Sequence, residues 1–254
     1  MRCTPLAWLA LIMFAIVPSS AWSQISQDSE AALAYYNEGH KHYGLREFSK
    51  AVEAFTRAVQ LNPNSALWHN NLGAANLELG RHQSAIDILL QAIRIQPGMA
   101  EAHRNLGLAY YHSGKWAQAV HYYNEAIRLN PDYALTYSDL GMAYGRLGQY
   151  EEAVAIFEKA IRLDPDNADF FNNLGCVYSR QGQHKKAEVA FIRAIELQPQ
   201  SASARFNAGV LYLALERREQ ALRQYRILQE LDPNLALKLH NVIYKDKLLV
   251  LSEK

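Results

Sequence analysis

The 254-residue chain has little of what catalytic and cofactor chemistry usually needs. It holds only two cysteines, Cys3 and Cys176, and no CxxC pair. HExxH, GxSxG and phosphate-loop patterns are missing as well, so no catalytic residue, metal site or cofactor is expected, and the chain does not read as an enzyme. Charge of one sign is absent: 26 Lys and Arg stand against 25 acids, a formal net charge of +1. That balance leaves no electrostatic footprint for a phosphate backbone and argues against a nucleic-acid partner. The one long apolar run, residues 6–17, is 12 residues long. A membrane-spanning helix needs about 20.

Prolines number only eight, yet six of them, Pro63, Pro97, Pro131, Pro165, Pro199 and Pro233, stand 34 residues apart. A fixed period of this size signals a stack of repeats. With proline placed at position 32, the repeats begin at Ala32, Ala66, Ala100, Ala134, Ala168 and Ala202. Position 8 is then Gly39, Gly73, Gly107, Gly141, Gly175 and Gly209, and position 20 is Ala51, Ala85, Ala119, Ala153, Ala187 and Ala221. Position 24 is large (Phe55, Leu89, Tyr123, Phe157, Phe191, Tyr225). The pattern predicts two antiparallel helices per repeat, one over positions 1–14 and one ending near position 30. Gly80, Gly114, Gly148 and Gly182 allow the turn between them, and proline stops the second helix. Glycine at 8 and alanine at 20 mark close helix approaches, with the position-24 side chain filling the space beside them.

These columns resemble the tetratricopeptide repeat family over residues 32–235. The resemblance implies an all-α fold: a right-handed superhelical solenoid of six helix-turn-helix repeats, 32–65, 66–99, 100–133, 134–167, 168–201 and 202–235. Position 4, often Trp in the family, is here Tyr35, His69, His103, Tyr137, Phe171 and Arg205. His69 and His103 are expected as packed, half-buried side chains rather than a metal pair, and the adjacent Glu151 and Glu152 as a solvated face.

The ends differ from the repeats. Residues 1–23 combine Arg2, the apolar run, Pro18 and the small residues Ala21 and Ser23, the pattern of a cleaved export signal. Cleavage would leave Gln24 first, a lead-in over residues 24–31, a periplasmic or secreted protein, and Cys176 as the sole cysteine, a small packed residue unable to form an internal disulfide. An uncleaved anchor is the other reading. Terminal repeats should be atypical, and Glu38, His42, Ala208, Leu228 and Gln229 are departures of that kind. Residues 236–254 read as a capping helix with Leu235, Leu239, Val242 and Ile243 on its apolar side. The run at 248–251 either completes the cap or offers a sticky end for a partner or a second copy.

The resemblance also implies that positions 2, 5, 6, 9, 12 and 13 line an inner groove. Position 6 reads Asn37, Asn71, Asn105, Asp139, Asn173 and Asn207. Carboxamides carry both donor and acceptor, so such a ladder can pair with the backbone of an extended peptide, as the similar row in the O-linked N-acetylglucosamine transferase implies. The alternative is that they bond neighbouring helices. Beside the row, Tyr36, Tyr43, Arg104, Tyr111, His112, Arg146 and Arg180 are the candidates for specificity. The two-carboxylate clamp of chaperone-binding repeat domains is not reproduced: Tyr36, His40, Asn71, Glu101 and Asn105 occupy its positions, and only Asn71 matches. The expected function is a non-catalytic scaffold or adaptor that holds an extended peptide or protein in the concave groove, for assembly of an envelope complex. A self-assembling scaffold and an accessory subunit of a periplasmic enzyme or cytochrome-maturation complex are the alternatives.

Overall fold

The structure, a computed structural model, describes the backbone of residues 19–252 and the side chains of residues 28–244. Most of the export-signal segment and the side chains of the 248–251 run lie outside it. The described residues form thirteen helices and no strand. They divide into two compact units, one ending at Ser113 and one beginning at Gly114. The first contains α1 (Ser19–Gly44), α2 (Phe48–Leu61), α3 (Ala66–Glu78), α4 (His82–Ile95) and α5 (Ala100–His112). The second contains α6 (Trp116–Leu129), α7 (Ala134–Arg146), α8 (Tyr150–Leu163), α9 (Ala168–Arg180) and α10 (His184–Leu197), followed by α11 (Ala202–Ala214), α12 (Arg218–Leu231) and α13 (Pro233–Ser252). The fold is an all-α helical-repeat solenoid, and its helices fall on positions 1–13 and 17–30 of each period, as the sequence predicts.

The turn between the two helices of a repeat depends on backbone handedness. Gly80, Gly114, Gly148 and Gly182 have φ of 69°, 75°, 77° and 72°, a region that costs glycine nothing. The following residue then caps the first helix, as where the Arg81 N–H donates to the Asn76 carbonyl at 2.9 Å. Repeats 1 and 6 lack this glycine, and they place Arg46 (φ 60°) and Glu216 (φ 59°) in the same region. The turn is therefore kept even where the residue resists it.

The position-8 glycines are contact points. A Cβ on Gly175 would lie 2.6 Å from Phe191 Cε1, inside any real contact distance. Phe191 fills that space and packs with Ala187, Ala208, Leu211 and Tyr212, joining repeat 5 to repeat 6. Burying a ring of this size contributes about 1.5–3 kcal/mol. Phe157 does the same with Ala153, Leu174 and Val177, and in the first unit Phe55 packs with Ala51, Leu72 and Ala75.

The unusual residues at position 4 have a use that the repeat pattern alone does not reveal. His103 Nε2 lies 2.9 Å from the Pro97 carbonyl, Tyr137 donates to that of Pro131 at 2.9 Å, and Arg205 Nε donates to that of Pro199 at 2.9 Å. His69 Nδ1 instead meets the Ser65 carbonyl at 2.9 Å. Polar tips thus satisfy the Pro97, Pro131 and Pro199 carbonyls of the turns, while the Ser65 carbonyl also accepts the His69 N–H at 3.2 Å.

Four boundaries or packing roles depart from the expectation. Helix α1 extends back to Ser19, so residues 24–31 are helical and the helix is continuous across the predicted cleavage point. Helix α13 begins at Pro233 rather than 236 because Asp232 caps it, accepting the N–H of Asn234 and of Leu235 at 3.0 Å each. Its buried face is Ala236, Leu239 and Ile243, while Val242 is 47% exposed because it lies one residue, about 100° around the helix, from Ile243 of that stripe. In repeat 6 the space beside Gly209 is taken by Leu239 at 2.6 Å, not by Tyr225 of position 24.

Candidate functional site

The row at position 6 lies on the first helix of every repeat. In the first unit, Asn71 Nδ2 donates to Tyr36 Oη at 2.9 Å and lies 2.9 Å from His40 Nε2. Asn70 Nδ2 donates to Asn71 Oδ1 at 3.3 Å, and Asn105 Nδ2 donates to Asn70 Oδ1 at 2.9 Å. The second unit repeats the motif: Asn207 Nδ2 donates to Asn172 Oδ1 at 2.9 Å and lies 3.4 Å from Cys176 Sγ, and Asn172 Nδ2 donates to Asn173 Oδ1 at 3.5 Å. Asn105 and Asp139 are buried, Asn71, Asn173 and Asn207 half-buried, and Asn37 exposed.

The two carboxamide-to-carboxamide bonds across repeats each end on an asparagine at position 5, Asn70 or Asn172. Sequence reasoning passed over both. The available signal was the Asn-Asn doublet at 70–71 and 172–173. Asn71 has both Nδ2 protons engaged and its Oδ1 accepting one bond, so its donor capacity is used within the protein.

The specificity candidates form separate groups. The Tyr36 ring stacks on Trp68 with centroids 5.0 Å apart and 19° between planes, and meets His40 edge-on at 4.6 Å. Burial raises the Tyr36 phenol pKa, the Asn71 hydrogen bond opposes that rise, and Glu101 adds to it. Tyr43 is raised by burial and by the carboxylates of Glu78 and Glu101. His112 stacks on His82 at 5.5 Å and 16°, with the Tyr111 ring edge-on at 5.4 Å. Burial, then the neighbouring His82, lowers the His112 pKa. Arg104 is half-buried in the same unit. In the second unit the exposed Arg146 guanidinium sits 5.9 Å from the Trp116 ring centroid, and Arg180 is exposed near Cys176. Burial raises the Cys176 thiol pKa, and the nearby Arg180 opposes that rise, so the neutral thiol is favoured.

A family profile described as the cilia and flagella-associated protein 70 C-terminal domain, of tetratricopeptide type, matches residues 7–239. The chain belongs to this family. Among solved structures, the tetratricopeptide fold recurs in MamA, at 26% identity over 68% of this chain and 94% of that one, with a TM-score of 0.59. YrrB, a TPR protein with an unusual peptide-binding site, is 24% identical over 75% of this chain and 99% of its own, with a TM-score of 0.55. PilF of Pseudomonas aeruginosa shares 19% identity over 90% of this chain and 100% of its own, with a TM-score of 0.69. No curated protein matches the chain. Tetratricopeptide domains are in general non-catalytic interaction scaffolds. No described helix is long and apolar enough to cross a membrane.

Proposed function

We propose that the chain is a non-catalytic adaptor whose first-helix walls hold an extended peptide or a partner protein, in the service of an envelope assembly. The observation that supports this is the position-6 row with its cross-repeat bonds. Carboxamides fixed by their neighbours have lost rotamer freedom before a ligand arrives, so a partner that pairs with their remaining lone pairs pays less ordering entropy. Asn71 acts as a fixed strut. Asn37, exposed on α1, and Asn173, held only by Asn172, are the rungs with capacity to spare. Each such bond contributes about 0.5–1.5 kcal/mol net, so several must act together.

Export of the chain belongs to the same proposal and rests on residues 1–23. N-terminal sequencing of the protein from fractionated cells tests it: Gln24 as first residue in the envelope fraction supports it, and an intact Met1 in the cytosol rejects it.

The binding reading is tested by crosslinking from that fraction, identification of the partner, and titration of Asn37→Ala and Asn173→Ala against it. Weakened binding at unchanged stability supports the wall. Unchanged affinity in both variants rejects it.

A further inference from the structure

Helices α9 and α10 of repeat 5 enclose an open cavity of about 760 Å³ on the second-helix side. Phe171 and Tyr178 form one wall, and Val189 and Ile192 the other. The latter two are large apolar side chains left 68% and 41% exposed. The remaining repeats serve as an internal control. Position 22, Val189 here, is elsewhere Glu53, Asp87, His121, Ala155 and Arg223, and position 25, Ile192 here, is Thr56, Leu90, Asn124, Glu158 and Arg226. Repeat 5 alone carries large apolar residues at both, so packing of the stack does not require them.

The rim is cationic. Lys186 Nζ lies 5.3 Å from the Tyr178 ring centroid, and the Arg193 guanidinium 6.0 Å from that of Phe171, so both cations lie over the aromatic wall. Lys185 is an exposed third cation, while the one carboxylate lining the cavity, Glu196, pairs with Arg193 at 3.3 Å. Val189 and Ile192 are one turn apart on α10, and the lining runs from Lys185 to Glu196, about 16 Å along a helix axis.

We infer that this groove docks an acidic amphipathic helix of a partner protein, with apolar side chains on Val189 and Ile192 and carboxylates on Lys185 and Lys186. The chain's own ends lack the matching charge. Residues 1–23 carry Arg2 as their only charge, and residues 245–254 carry Lys245, Lys247 and Lys254 against Asp246 and Glu253. The cavity shares α9 with Asn173, but no residue of the asparagine row lines it.

The probe is a fluorescein-labelled helical peptide of about 14 residues with leucines at i, i+3 and i+7 flanked by glutamates, together with a twin in which every glutamate is lysine. Anisotropy is read on the full chain, on Val189→Ser/Ile192→Thr and on Lys185→Glu/Lys186→Glu, each checked for unchanged helicity and melting. The glutamate peptide should bind the wild type, and both double variants and the lysine twin should weaken binding about tenfold or more. Equal binding by the variants or by the twin overturns the proposal, as does absence of binding to the wild type. A concentration-dependent dimer abolished by Val189→Ser/Ile192→Thr overturns it in favour of a second copy. Anionic vesicles bound more tightly than the peptide overturn it in favour of a lipid surface.

Discussion

Asn207 donates to Asn172 across 2.9 Å, and Asn105 makes the same bond to Asn70 at the same distance, so one carboxamide tie recurs between repeats in both units. A position-6 side chain reaches back to position 5 of the repeat before it. Asn70 is fully buried and Asn105 nearly so. Asn70→Ala should therefore leave the Asn105 donor unsatisfied and lower stability by about 1–3 kcal/mol in urea unfolding. A double-mutant cycle with Asn105→Ala should return a coupling of about 0.5–3 kcal/mol, and additive effects would show that the tie carries no energy.

Gly175 faces Phe191 with no room for a methyl group. Gly175→Ala should lower stability by about 1–3 kcal/mol through overpacking, and Phe191→Leu in the same chain should recover part of that loss. A melting temperature unmoved by Gly175→Ala would show that the ring shifts freely.

Glu216 holds the left-handed turn that glycine holds in four other repeats. Glu216→Gly should stabilise the protein by about 0.5–1 kcal/mol, the relief of backbone strain exceeding the extra freedom of the unfolded chain. A melting-temperature change of the opposite sign would mean that the strain is absent.

His112 has a pKa lowered by burial and by His82. The unfolded chain therefore takes up this proton before the folded one does. Stability should hold above the unfolded value of about 6.5 and fall as pH drops below it, down to the lower folded value. In His112→Gln, the slope of stability against pH below about 6.5 should be shallower. An identical slope would assign the acid sensitivity elsewhere.

The architecture was legible because the same steric demand is imposed six times. Gly175, Ala187 and Phe191 mark a contact whose counterpart recurs every 34 residues, and repetition separates it from noise. What escaped notice occurs once or depends on geometry between repeats. The Asn70 and Asn172 acceptors sit beside the ladder in sequence, yet only helix stacking brings them to the next repeat's donor. Val242 was misplaced because a lone helix offers two neighbouring apolar stripes, and the choice between them depends on the surface it meets. Arg46 and Glu216 gave no glycine signal, although their backbones do what glycine does elsewhere. Of the candidate residues, Tyr36 and Asn71 are linked in the fold, and so are Tyr111 and His112. Arg146 lies by the Trp116 ring and Arg180 near Cys176.

Leu239 of α13 occupies the hollow beside Gly209 that, in repeat 5, Phe191 fills beside Gly175. In repeat 5 the filler comes from the repeat's own second helix, whereas in repeat 6 it comes from the helix that follows the repeat. Tyr225, released from that role, packs against the same terminal helix beside Leu228 and Leu239, so cutting the chain before Pro233 would empty the hollow at Gly209 and unseat the last helix pair in a single step.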